Sequence, residues 1–201
     1  MKQARDMFIF LEEQLCVCLE SAMLLEEFTC DYSERTYDLL RDRFSLIQFR
    51  TWFWDKKVFP SLSLQFFSFA EKELVLYFID LIQKITKEIH FVVNNLFSTK
   101  LIILQSLTPI LTKNVTNCIK QLTEAIKSIN NLETDDKLKS YVVKINFLES
   151  QTDVLYMNAI CMLYSKPLDN CIIINNKVIY ESIESCCNMC QQAASIIEQF
   201  Y

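Results

Sequence analysis

Residues 138–163 read LKSYVVKINFLESQTDVLYMNAICML. Leu138, Val142, Ile145, Thr152, Tyr156, Ala159 and Leu163 recur three and four apart, the spacing of one face of an α-helix. Glu149 stands in the middle of that stripe. A carboxylate at a core-facing position is costly unless it is paired, protonated or bound to a cation. Asp153 follows four residues later, so both carboxylates project from one side of the helix. Oxygen-only ligands of this kind suit Mg, Mn, Fe or Ca. The competing reading is a groove edge with Lys or Arg partners, because an E-x-x-x-D spacing is common on helices.

Five more stripes of the same period flank this one. They run Phe8–Leu25, Tyr37–Val58, Leu64–Ile85, Val115–Ile129 and Ile179–Ile197. The breaks between them carry helix-ending and helix-starting signals. Asp31–Ser33 reads as an N-cap region. Pro60 follows the second stripe, with Ser61 and Ser63 as caps for the third. Ser98–Thr99 marks a turn, and Pro109 sits in a kink or in the first turn of the fourth helix. Thr134 or Asp135 caps the fifth, and Pro167 ends it. Cys171–Ile174 is β-branched but is read as the resumption of helix. The two halves follow one plan, and Pro60 and Pro167 hold equivalent places in it. The expectation is an all-α fold of six helices, two antiparallel three-helix bundles related by a pseudo-repeat. It is read as a single domain over 1–201, with halves at about 1–98 and 99–201.

Composition narrows the function. The 201 residues are 51% apolar and 22% charged, enough for a sizeable core and not a disordered composition. Glycine is absent, which excludes a P-loop or a G-x-G-x-x-G nucleotide site, since both need glycine for close backbone approach. It also weighs against hairpin-rich β structure. The net charge is −5 with no basic run, which argues against nucleic acid as a partner. The most apolar region, 62–82, is interrupted by Glu71, Lys72, Glu73 and Asp80, so no membrane span is expected. With no signal peptide and an odd count of nine cysteines, the chain reads as cytoplasmic, with reduced, buried thiols. Cys187-x-x-Cys190 lies mid-helix without a second such pair and reads as packing.

Other candidates are weaker. His90 is the single histidine and has no nucleophile motif beside it, so it reads as a polar helix residue. Asp38 and Asp42 repeat the four-residue spacing but lie off their stripe, next to Arg41 and Arg43. Glu71 breaks the third stripe, and Glu184 follows Ile183. The aromatic run Phe49, Trp52, Phe53, Trp54, Phe59, Phe66, Phe67 and Phe69 exceeds what one helical face buries. Part of it is expected in the core and part on a surface for a partner or a membrane protein.

The C-terminal third resembles a known family. Ile145–Tyr156, with Glu149, Asp153 and Tyr156 in E-x-x-x-D-x-x-Y order, is similar to the signature of PhoU-like proteins. The branch it resembles accompanies Pit-type phosphate transporters. Lys177–Glu184 through Cys190–Ala194 looks like that branch's closing helix, and Phe10–Gln14 like its first. The resemblance is residue-specific from about 138 to 201 and otherwise rests on helix order. It implies a regulatory or accessory protein of inorganic phosphate transport, not an enzyme. Such a protein would meet a membrane permease at the inner face of the membrane. It also implies carboxylate sites for Fe, Zn, Mn or Mg. Residue by residue, Glu149 and Asp153 match; Glu184 matches the first half of a second motif whose partner is Asn188 here. Asp38 and Asp42 match a first-half motif, while Ser63–Gln65 replaces an acidic segment. The alternative is a metal-free helical scaffold that kept the fold and lost the ligands. A homo-oligomer is compatible with either. A di-iron bundle enzyme is the poorest fit, because Glu-x-x-His is its usual motif and Lys87 stands three before His90.

Overall fold

A computed structural model of the chain describes residues 2–30, 34–58, 69–99, 107–131 and 134–200. Six helices account for nearly all of them. They are α1 (Lys2–Cys30), α2 (Glu34–Phe53), α3 (Phe69–Thr99), α4 (Thr108–Asn130), α5 (Asp135–Tyr164) and α6 (Asn170–Ile197). A π-helical turn, Trp54–Val58, extends α2, and a 3-10 turn, Glu198–Phe200, closes the chain. No strand occurs among the described residues.

The expected stripes are the buried faces. On α5, Leu138, Val142, Ile145, Thr152, Ala159 and Leu163 are buried. On α6, Ile179, Ile183, Cys186, Cys190, Ala193 and Ile197 are buried. A few residues join α1 to α2, α4 to α5 and α5 to α6, and each of these pairs packs together, so its members run antiparallel. Within the first half α1 packs on α2 and α3; within the second, α4, α5 and α6 all pack together. The halves join where α1 lies along α4 and α3 along α6. The first half is the looser, since α2 leans on α1 and touches α3 only lightly.

Helices at the join carry a wider apolar face than one stripe. On α1, Leu15, Cys18, Ala22, Leu24, Leu25 and Phe28 are all essentially inaccessible. α4 buries polar residues as well, and several are satisfied within the helix. The hydroxyls of Thr112, Thr116 and Thr123 donate to the carbonyls four residues back, at 3.2, 3.2 and 2.8 Å. Thr29 on α1 meets Thr112 on α4 at 2.8 Å. Tyr180, Phe28 and Phe78 are the largest fully enclosed side chains. Truncating any one to alanine would cost about 3–5 kcal/mol.

Local signals behave as follows. Pro109 occupies the first turn of α4, where its missing N–H is no loss. α5 begins after Thr134, although that hydroxyl makes no capping bond. Cys171–Ile174 is helical. It is started by Asp169, whose Oδ1 accepts from the Cys171 N–H at 2.8 Å. Helix α5 ends at Tyr164, ahead of Pro167. Asp31–Ser33, Pro60, Ser61, Ser63 and Leu64 lie outside the described residues, as do the side chains of Glu71 and Ser98–Thr99.

Candidate carboxylate site

The α5–α6 edge brings together Glu149, Asp153 and Glu184. Glu149 sits half-buried on α5 and Asp153 one turn on, exposed; Glu184 is half-buried on α6. The Glu149 carboxyl is held above its ordinary pKa by partial burial, then by the Asp153 charge, and to a lesser extent by Glu184. Ser150 Oγ donates to Glu149 Oε2 at 3.3 Å and opposes that rise. The three carboxylates therefore share one electrostatic neighbourhood. Asn188 Nδ2 donates to Glu184 Oε1 at 2.7 Å, so a neutral amide occupies the place where a second carboxylate would face Glu184.

The surroundings extend this edge. Lys177 Nζ pairs with Glu181 at 3.2 Å one turn before Glu184. The Tyr156 phenol is pushed up by burial and by Glu181 and Glu184. Beneath Glu149, Thr152 is fully enclosed. Its hydroxyl donates to the Leu148 carbonyl at 2.8 Å and receives Asn114 Nδ2 of α4 at 3.2 Å. This bond fixes the turn of α5 that carries both Glu149 and Asp153.

Below it lies a cluster of thiols. Cys18 of α1, Cys118 of α4, and Cys186, Cys187 and Cys190 of α6 are all buried and unbridged. Hydrogen bonding to Cys118 and burial push the Cys187 thiol well up, and burial pushes Cys18 up to about 12. These thiols stay protonated in this setting, which makes them poor nucleophiles. The packing role read for Cys187-x-x-Cys190 fits this setting. The convergence of Cys118 with them was not foreseen; its place one residue before Ile119 on the fourth stripe is the signal that would have shown it.

The first-half candidates are placed apart. Asp38 and Asp42 are exposed on α2, the helix that leans on α1. Among the described residues, no three His, Cys, Asp or Glu side chains close on a point that could hold an ion. As placed, the acidic edge is a neighbourhood of charges and not a coordination shell. His90 is buried on α3, 3.2 Å from Ser21 Oγ of α1, with the Phe44 ring edge-on at 5.0 Å. Burial lowers its pKa to about 4.

The aromatic run divides as expected where it is described. Trp54 is half-buried and meets the Phe10 ring at 5.7 Å. Phe49, Trp52 and Phe53 are exposed, with Phe49 and Trp52 stacked at 5.9 Å. Beside them is a groove of about 480 Å³ lined by Met23, Arg43, Leu46, Ile47, Phe49 and Arg50, with Glu20. Arg43 pairs with Glu27 at 2.7 Å, and Arg50 with Glu20, so the rim is tied to α1. Phe59, Phe66 and Phe67 lie outside the described residues, as does the side chain of Phe69.

Six helices packed as two three-helix halves define an all-α fold. It is the PhoU-like fold. The chain superposes on the crystal structure of a candidate PhoU-like phosphate regulatory protein from Shewanella oneidensis MR-1. The TM-score is 0.77 at 18% identity, covering 96% of this chain and 97% of that one. Neither a family model nor a curated protein sequence matches the chain. No helix among the described residues is long and apolar enough to cross a membrane.

Proposed function

We propose that this protein is a PhoU-like regulator of inorganic phosphate transport that acts by binding a Pit-type membrane permease, not by catalysis. The observation that carries the reading is the likeness of fold over the whole length to a candidate phosphate regulator. The C-terminal signature residues Glu149, Asp153 and Tyr156 support it. In this reading the two halves, about 1–98 and 99–201, work as one domain at the inner face of the membrane. The outward face of α2, with Leu46, Phe49, Trp52 and Phe53 exposed, is the surface that meets the permease. Exposed aromatic anchors beside a groove are what such a contact needs.

The test is co-purification with a Pit-type permease, together with phosphate uptake after deletion. Association that is lost in Phe49→Glu, with helicity by circular dichroism unchanged, is the expected result. Unaltered uptake and no association would remove the proposal.

The metal role is part of the same proposal. Glu149, Asp153 and Glu184 form its second-half site, and Asp38 with Asp42 the first-half one, for Fe, Zn, Mn or Mg. A second reading, a scaffold that works without metal, is favoured by the Asn188–Glu184 hydrogen bond. It is favoured also by the open arrangement of the described ligands. Elemental analysis of protein purified without chelator separates the two. Stoichiometric metal that disappears in Glu149→Ala refutes the metal-free scaffold; metal-free protein that still binds the permease refutes the metal site.

A further inference from the structure

Helix α5 has a second apolar face, opposite the one that packs on α4 and α6. Val143, Phe147, Ser150, Val154, Met157, Cys161 and Tyr164 recur four and three apart without interruption and are all exposed. Val143 is 65% accessible, Phe147 62%, Val154 62% and Met157 58%. A helix apolar on two opposite faces is one that expects neighbours on both. The seven-residue period of the outer face is sustained over three heptads, the spacing that a helix lying alongside meets along its whole length.

We infer that the outer face of α5 pairs with the α5 of a second copy of this chain. The strip is matched to itself in size. In an antiparallel pairing about a two-fold axis near residue 152, Ser150 faces Val154 at the centre, Phe147 faces Met157 on either side, and Val143 faces Cys161 at the ends. Small residues meet at the axis and large ones fill the layers beside it. That is the self-complementarity a two-fold interface demands, since one patch must serve both partners. A groove of about 460 Å³ between α4 and α5, lined by Ile110, Asn114, Phe147, Val154 and Leu155 among others, gives a partner side chain a place to enter. The flanks carry Lys144 on one side and Asp153 on the other; in this register the two Asp153 side chains approach each other beside the axis, a like-charge contact that salt screens, so the pairing rests on the apolar strip. Phe147 and Tyr164 each offer roughly 100 Å² or more. With the aliphatic positions and flanks the strip reaches the order of 800 Å² that a standard interface buries per partner.

Sedimentation velocity of the full chain across micromolar concentrations tests this. The wild type is expected to be a dimer. Val154→Glu and Phe147→Glu, both at exposed positions, should keep the helicity and weaken association by about 100-fold or more, because each buries an unpaired charge. Alkylation gives a second readout: Cys161 should react at least about tenfold faster in Val154→Glu than in the dimer, while Cys30 and Cys171 keep their rates. Phe49→Glu on α2 should leave the dimer intact, so loss of permease binding and loss of pairing are separable. A monomeric wild type at the highest concentration overturns the inference. So does a dimer that survives both α5 variants or breaks in Phe49→Glu.

Discussion

At the scale of single residues, His90 is the group whose environment has the plainest consequence. Its imidazole is enclosed between α1, α2 and α3, bonded to Ser21 and faced by Phe44. Burial takes its pKa from 6.5 to about 4. Above the unfolded value the ring is neutral in both states and contributes no pH dependence. Between 6.5 and about 4 only the unfolded chain takes up the proton, so stability falls as pH falls through that window, then levels off. The total is roughly 3 kcal/mol at 1.36 kcal/mol per unit. Urea titrations at pH 7, 5.5 and 4 should show it, and His90→Leu should flatten that part of the profile; an equal slope in the variant would contradict the assignment. The sequence shows His90 only as a polar residue on a helix. Its burial depends on Ser21, 69 residues away, and one chain's spacing cannot reveal that pairing. Glu149 is the opposite case. A carboxylate on an apolar stripe is visible in the sequence, and its raised pKa has the causes that position implies.

At the scale of helices, the absence of glycine has a concrete expression. The three described C-caps, Asn131, Ser165 and Glu198, have φ of −88°, −77° and −61°. None takes the left-handed conformation that makes glycine the usual residue after a helix. These three helices end by unwinding through right-handed turns, which need no glycine. The N-termini rely on side chains more unevenly. Asp169 caps α6 through the Cys171 N–H, whereas Thr134 makes no such bond for α5. Asp169→Ala should therefore cost about 1 kcal/mol, and Thr134→Ala close to nothing; chemical denaturation of both variants checks the contrast. Helix number and order and the end of α5 before Pro167 were readable from period and punctuation, whereas Pro109 was readable only as a kink or a first-turn residue. Caps at Thr134 or Asp135 were readable only as alternatives, because whether a hydroxyl reaches the backbone depends on a rotamer. The outer stripe of α5 went unread for a different reason: its inner stripe already satisfied the helix.

At the scale of the whole molecule, the two halves meet across thiols. Cys186 and Cys190 of α6 lie near Cys18 of α1 and Cys118 of α4, and α1–α4 with α3–α6 make the join. Five of the nine cysteines are buried there, and Cys16, Cys30, Cys161 and Cys171 are exposed. In dilute solution an aromatic disulfide reagent should titrate four thiols in the folded protein and nine in denaturant; a fifth fast thiol in the folded state would contradict the packing. A buried thiol reacts only when the helices around it part. At saturating reagent, the modification rate of the five inner thiols therefore equals the rate at which the halves separate. A single phase for all five would mean the halves come apart as units. A faster phase for Cys18 alone would mean that α1 peels away first, and the order of chemical labelling would then be the order in which the molecule opens.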